Sequence, residues 1–105
     1  MIIQENASLY PYNTFGVYAY ARAFGAITHY SQVIVNYAQL QKQYERILFL
    51  GSGSNILFTE NYLDACFLYN NYCTIKEIAE DENSVQLFVG SGVNWHTLVS
   101  YCVHK

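Results

Sequence analysis

Residues 48–58 read Leu48-Phe49-Leu50-Gly51-Ser52-Gly53-Ser54-Asn55-Ile56-Leu57-Phe58. A short apolar run stops at Gly51, a small polar loop follows, and a second apolar run begins at Ile56. This layout delivers a strand to a tight loop of exposed backbone N–H groups. Glycine lets a backbone come close, and inward-pointing amides suit a phosphate. Three phosphate readings compete with a plain turn between strands. A dinucleotide fingerprint fails, because its third Gly would fall at Ile56 and Ile56-Leu57-Phe58-Thr59 opens no amphipathic helix. A P-loop fails because no Gly-Lys-Ser/Thr follows. A strand–loop–strand nest, with backbone N–H groups and the Ser54 and Asn55 side chains donating, stays open beside the plain turn.

Outward from this loop, the chain reads as alternating elements. Residues 1–16 are expected to form an irregular arm, broken by Pro11 and by Asn13-Thr14 before Phe15-Gly16. Residues 20–28 read as extended. From Ser31 to Tyr44 the apolar positions Val33, Ile34, Tyr37, Ala38, Leu40 and Tyr44 follow a helical stripe, with Ser31 as N-cap. Arg46–Leu50, residues 56–59 and Ala65–Tyr69 read as extended. Thr74–Ala79 and Val85–Val89 read as a hairpin across the five residues Glu80-Asp81-Glu82-Asn83-Ser84, an acidic, solvated turn. The second arm ends at Gly90-Ser91-Gly92. Asn94 then caps a helix carrying Trp95, Leu98, Val99, Cys102 and Val103, with Trp95 expected as a core anchor and His96 at the surface. The helical pattern is still running at Lys105, so a longer chain is expected. The triplets at 51–53 and 90–92 resemble each other in that both end strands.

Composition narrows the classes. The 105 residues suit one domain that buries roughly 60–70% of its unfolded surface. With 52% hydrophobic and 12% charged residues, the chain is expected to pack rather than stay disordered. A net charge of −3 and five scattered basic residues give no footprint for nucleic acid. No apolar run approaches the ~18 residues of a membrane span. Cys66, Cys73 and Cys102 form no Cys-x-x-Cys pair, and no signal peptide is evident, so free, mostly buried thiols in a reducing compartment and a cytoplasmic location are expected. His29 and His104 have no carboxylate or Cys partner at ligand spacing, so no metal site is expected. The 11 Tyr and 6 Phe suit either half-buried positions or a surface that a partner covers.

Three motifs stand in one order: Asn13-Thr14-Phe15-Gly16, Leu50-Gly51-Ser52-Gly53-Ser54-Asn55-Ile56-Leu57, and Val89-Gly90-Ser91-Gly92-Val93-Asn94-Trp95-His96-Thr97-Leu98-Val99. At these separations they resemble the N-terminal part of the UDP-N-acetylenolpyruvoylglucosamine reductase (MurB) family, over essentially the whole chain. The stretches 18–30 and 65–73 depart from the family's pattern. The resemblance implies an α+β fold: the first part of a vanillyl-alcohol-oxidase-type (PCMH-type) FAD-binding domain, with mixed sheets and flanking helices, truncated. Residues 1–105 are then the N-terminal portion of that domain. It further implies an NADPH-dependent reduction of UDP-N-acetylglucosamine enolpyruvate to UDP-N-acetylmuramate for peptidoglycan, with FAD as cofactor. By resemblance Gly51, Ser52, Gly53, Ser54 and Asn55, with Ile56 beside them, hold the FAD pyrophosphate, and Asn13 and Thr14 lie near the flavin site. The family's Ser proton donor, with its Glu and Arg, is expected beyond this segment, so no catalytic residue is assigned here. The alternative is a non-catalytic remnant acting as a small binding or interaction module through its Tyr-rich surface.

Overall fold

The computed structural model describes residues 1–54 and 56–104. In chain order the elements are β1 (Gln4–Ser8), a 3-10 turn (Tyr10–Tyr12), β2 (Tyr20–Ile27), α1 (Tyr30–Gln43), β3 (Ile47–Leu50), β4 (Tyr62–Asn70), β5 (Ile75–Glu80), β6 (Val85–Val89) and α2 (Trp95–Val103). The fold is α+β with a four-stranded mixed sheet ordered β1-β2-β4-β3 and a separate β5-β6 hairpin. β1 pairs antiparallel with β2, while β2, β4 and β3 run parallel. The carboxyl ends of three strands therefore lie along one border of the sheet, with Leu50 opposite Tyr69 and Ile27 opposite Asn70.

β4 is the spine of this sheet, and its sequence shows why. Ala65, Cys66, Phe67 and Leu68 are all buried. Side chains alternate across a strand, so Ala65 and Phe67 join one core with Leu9, Phe24, Leu50 and Phe58, while Cys66 and Leu68 join the other with Ile27 and Leu40. A strand covered on both faces reads as a continuous apolar run. The first core is closed by the chain returning from β3: Phe58 meets Phe67 edge-on at 5.8 Å although residues 56–59 belong to no strand. The second core is closed by α1.

That helix begins one residue before the expected start, with His29 rather than Ser31 as its N-cap. The His29 ring nitrogen accepts from the Ser31 N–H at 3.2 Å, and the Gln32 side chain reaches back to the N–H groups of Thr28 and His29 at 2.7 and 3.2 Å. This reciprocal arrangement is a capping box built on His instead of Ser or Thr. The stripe is also narrower than the sequence suggests. Val33, Leu40 and Tyr44 pack on the sheet, but Ile34 is 74% exposed and Ala38 also faces outward.

The amino-terminal arm is the main correction. Residues 4–8 form β1, which pairs with β2 from Gln4 opposite Phe24 to Ser8 opposite Tyr20. Its sequence, Gln-Glu-Asn-Ala-Ser, carries no apolar alternation because β1 is an edge strand with mostly exposed side chains. The hairpin connection is four residues, Asp81–Ser84, since Glu80 still pairs with Val85.

The radius of gyration is 16.3 Å, against about 13 Å for a compact domain of ~100 residues. The excess comes from the hairpin and α2, which reach out from the sheet and join it through Tyr72. That ring packs on His29 at 5.2 Å and on Phe88 at 5.9 Å. No residue of α2 is buried. Among the described residues no helix is long and apolar enough to cross a membrane.

Candidate functional site

β3 stops because Gly51 follows Leu50, and the chain then turns through Ser52, Gly53 and Ser54 at the carboxyl edge of the sheet. Gly51 and Gly53 differ sharply in their surroundings. A Cβ on Gly51 would meet nothing within 4 Å. Gly53 is buried, has φ +80, and a Cβ there would collide with the Tyr12 carbonyl and lie 2.8 Å from the Asn13 Cα. The need for glycine at position 53 thus comes from the chain's own backbone, not from a ligand's approach. The Gly53 carbonyl accepts from the Thr14 N–H at 3.2 Å and from the Thr14 hydroxyl at 3.3 Å.

The turn that receives Gly53 is organised by Asn13. This side chain is 8% exposed. Its Nδ2 donates to the Leu9 and Val17 carbonyls at 2.8 and 3.1 Å, and its Oδ1 accepts from the Val17 N–H at 2.9 Å. An Asn that satisfies three backbone groups in the interior replaces a ladder the irregular turn lacks. Gly16, at φ +69, completes the turn in a conformation that favours glycine. The motif 13–16 and the motif 50–57, distant in sequence, are therefore one structural unit.

The third motif closes the site from the other side. Gly90 donates to the Thr74 carbonyl at 2.8 Å and Gly92 to the Tyr72 carbonyl at 2.9 Å. A Cβ on Gly92 would lie 2.7 Å from the Asn70 carbonyl oxygen, so this loop also sits flush on backbone. The result is a cleft of about 260 Å³ between the two Gly-Ser loops. Gly51, Ser52 and Ser54 line one wall, Ser91, Gly92 and Asn94 the other, with Tyr69 and Asn70 at the end of β4 between them. The triplets do more than end strands: they face each other. Open parallel sheets place ligands at the carboxyl ends of their strands, where this cleft lies.

The lining suits an anion. It carries three serine hydroxyls and glycine backbone, and among the described residues no carboxylate. The Ser52 and Ser54 hydroxyls lie 3.3 Å apart. α2 begins at the second wall, its cap formed by Asn94 Oδ1 accepting from the His96 N–H at 2.8 Å. A helix start turns its positive end outward.

No family model matches the chain. Individual relatives do. A UDP-N-acetylenolpyruvoylglucosamine reductase of Amoebophilus asiaticus is 37% identical over 107 residues, covering 100% of this chain and 31% of the relative. Proteins of the same name from Shewanella sediminis and Neisseria gonorrhoeae are 40% and 36% identical, over 98% and 96% of this chain and 29% of each relative. The chain belongs to the UDP-N-acetylenolpyruvoylglucosamine reductase family. It spans about 30% of the length of the curated reductases it matches.

Within this reductase-family segment, the expected site residues fall in different places. Gly51, Ser52 and Ser54 line the cleft, Gly53 lies behind them as the anchor, and Asn55 lies outside the described residues. Ile56 is half-buried and packs against the core around Phe58, which suits a loop support. Ser91, Asn94, Tyr69 and Asn70 were not expected at a site; the only sequence sign was the second Gly-Ser-Gly. Trp95, expected as a core anchor, is 77% exposed and stands on the rim of the cleft. It opens α2, which packs no side chain into either core. His29 caps α1, His96 is exposed at the start of α2, and His104 ends α2. Among the described residues no cluster of His, Cys, Asp or Glu has a geometry for metal. Of the three thiols expected to be mostly buried, the structure buries Cys66 alone, and Cys73 and Cys102 are exposed. Cys66 is fully buried, and its burial pushes the thiol up from its ordinary range, so it is an inert core residue.

Proposed function

We propose that this chain is the cofactor-gripping part of an NADPH-dependent UDP-N-acetylenolpyruvoylglucosamine reductase, and that the cleft between the two Gly-Ser loops takes the diphosphate of FAD. The observation that carries the reading is the meeting of two family motifs, 50–57 and 89–99, across one cleft at the carboxyl ends of parallel strands, with the motif 13–16 seated behind the first. The size supports a part of the cofactor rather than the whole. About 260 Å³ falls below the ~300–1,000 Å³ of pockets that enclose a complete ligand.

The residues fit such a group. Ser52, Ser54 and Ser91 are positioned to donate hydroxyl hydrogen bonds to diphosphate oxygens, and Gly51 puts no side chain in the way of a ligand. Among the described residues no lysine or arginine lines the cleft, so on this chain's side the charge would be met by fixed dipoles. FAD, when bound, supplies the hydride chemistry that carries reducing equivalents from NADPH to the enolpyruvyl ether. What this chain's residues do is bind and orient. The fold is read as the first part of a vanillyl-alcohol-oxidase-type FAD-binding domain, in the cytoplasm, with the protonating groups and the substrate surface in other parts of a longer protein. UDP-N-acetylglucosamine enolpyruvate is the substrate in this reading, and peptidoglycan synthesis the process.

The test is competition. FAD and ADP, which share the diphosphate, should compete for the chain, and riboflavin, which lacks it, should not displace either. Equal displacement by riboflavin would place recognition on the isoalloxazine and overturn the assignment of the cleft. The 105-residue chain alone should show no NADPH oxidation with the enolpyruvyl substrate. Normal turnover would contradict the division of labour.

A further inference from the structure

The Asn13–Gly16 turn touches the phosphate loop from behind and lines no part of the cleft. Its hydrogen bonds nevertheless decide which way the loop's amides point. All peptide bonds among the described residues are trans. In a trans peptide the C=O and N–H of one unit point in opposite directions. The unit joining Gly53 to Ser54 has its carbonyl held by two donors from Thr14, at 3.2 and 3.3 Å. The Ser54 N–H, on the far side of the same unit, is then turned away from Thr14, and Ser54 is a cleft residue.

The holder is itself held. Tyr12, whose carbonyl abuts Gly53, packs its ring on Tyr69 at 5.0 Å and on Phe24 at 4.6 Å. Asn13 fixes the turn's backbone through its three buried hydrogen bonds. Tyr69 in turn lines the cleft floor. A rotation of the 53–54 peptide would break both Thr14 contacts.

We propose that Thr14 is a positioning residue for anion binding: it sets the orientation of the 53–54 peptide so that the Ser54 N–H faces a diphosphate in the cleft. This rests on the reading of the cleft given above. The hydroxyl is the separable half of the device, because the Thr14 N–H remains in any variant.

The experiment compares wild type, Thr14→Val and Thr14→Ser in the 105-residue chain. Val keeps the shape and removes the hydroxyl; Ser keeps the hydroxyl. Two readouts are taken: backbone 15N order parameters of residues 51–54 without ligand, and the Kd for FAD by fluorescence titration. Thr14→Val is expected to lower the order parameters of this loop and to raise the Kd about three- to tenfold, as loss of one hydrogen bond does. Thr14→Ser is expected to restore both to within about twofold of wild type. Unchanged loop order in Thr14→Val would overturn the positioning role. So would a loosened loop with an unchanged FAD Kd. If wild type ignores FAD while Thr14→Val still loosens the loop, the loop-orienting role is supported and the FAD reading alone falls.

Discussion

Replacing Gly53 by Ala should be the most damaging single-methyl change in this chain, and the structure sets its size. The residue has φ +80, where an L side chain costs about 1–2 kcal/mol. The new Cβ would collide with the Tyr12 carbonyl and lie 2.8 Å from the Asn13 Cα. These are backbone atoms that cannot rotate away, and wedging into a packed site costs a further ~1–3 kcal/mol. The displacement also loosens two hydrogen bonds from Thr14 to Gly53, each worth about 0.5–1.5 kcal/mol. The terms overlap, so about 3–5 kcal/mol is the expected total, a large share of the ~5–15 kcal/mol that holds a domain together. Gly51→Ala is the matched control. It adds the same methyl two residues away into open space, and should change stability by no more than about 0.5 kcal/mol. Urea unfolding followed by circular dichroism reads the difference. The Gly53→Ala midpoint should fall by at least about 1 M, while Gly51→Ala stays with wild type. Equal midpoints for the two variants would refute the claim that the loop is seated on the Tyr12–Asn13 backbone.

Three further outcomes follow from the geometry. Cys66 is fully buried and its thiol is pushed up by burial, so native-state alkylation should label the exposed Cys73 and Cys102 and spare Cys66 until the chain unfolds, as read by mass spectrometry. The Asp81 carboxylate accepts from the N–H groups of Asn83 and Ser84 at 2.8 and 2.7 Å, which hold its pKa below the ordinary carboxylate value. A depressed folded-state pKa stabilises the β5–β6 turn above about pH 4, and the contribution is lost as pH falls through the folded value; Asp81→Asn should flatten that acid dependence in amide shifts of residues 81–84. Asn13→Asp removes the two Nδ2 donations to the Leu9 and Val17 carbonyls and should cost about 1–3 kcal/mol in the same urea assay.

What could be read from residues alone follows a physical division. Local signals survive: the stop at Gly51, the Asn94 cap, the apolar run of β4 and the acidic turn at 81–84 each depend on neighbours in sequence. Tertiary arrangements do not. β1 escaped notice because an edge strand of Gln, Glu and Asn lacks the alternation that burial imposes. His29 replaced Ser31 as the cap of α1 because Gln32 folds back on the preceding N–H groups, a preference invisible without the turn's geometry. The second wall of the cleft was hidden for the same reason. Only the fold shows that residues 51–54 and 91–94 face each other, because Tyr72 brings the hairpin back to the end of β4. Trp95 was misplaced because a helical stripe says which residues share a face, not whether anything covers that face.

The central claim is that the cleft between the Gly-Ser loops recognises a diphosphate. The most direct measurement is a titration of the 15N-labelled chain with ADP, which carries that group without the flavin. The account predicts that the amide signals of Gly51, Ser52, Ser54, Ser91 and Gly92 move together along one saturable curve. No movement of these signals at millimolar ADP, or movement confined to residues 80–85 of the hairpin, would contradict it.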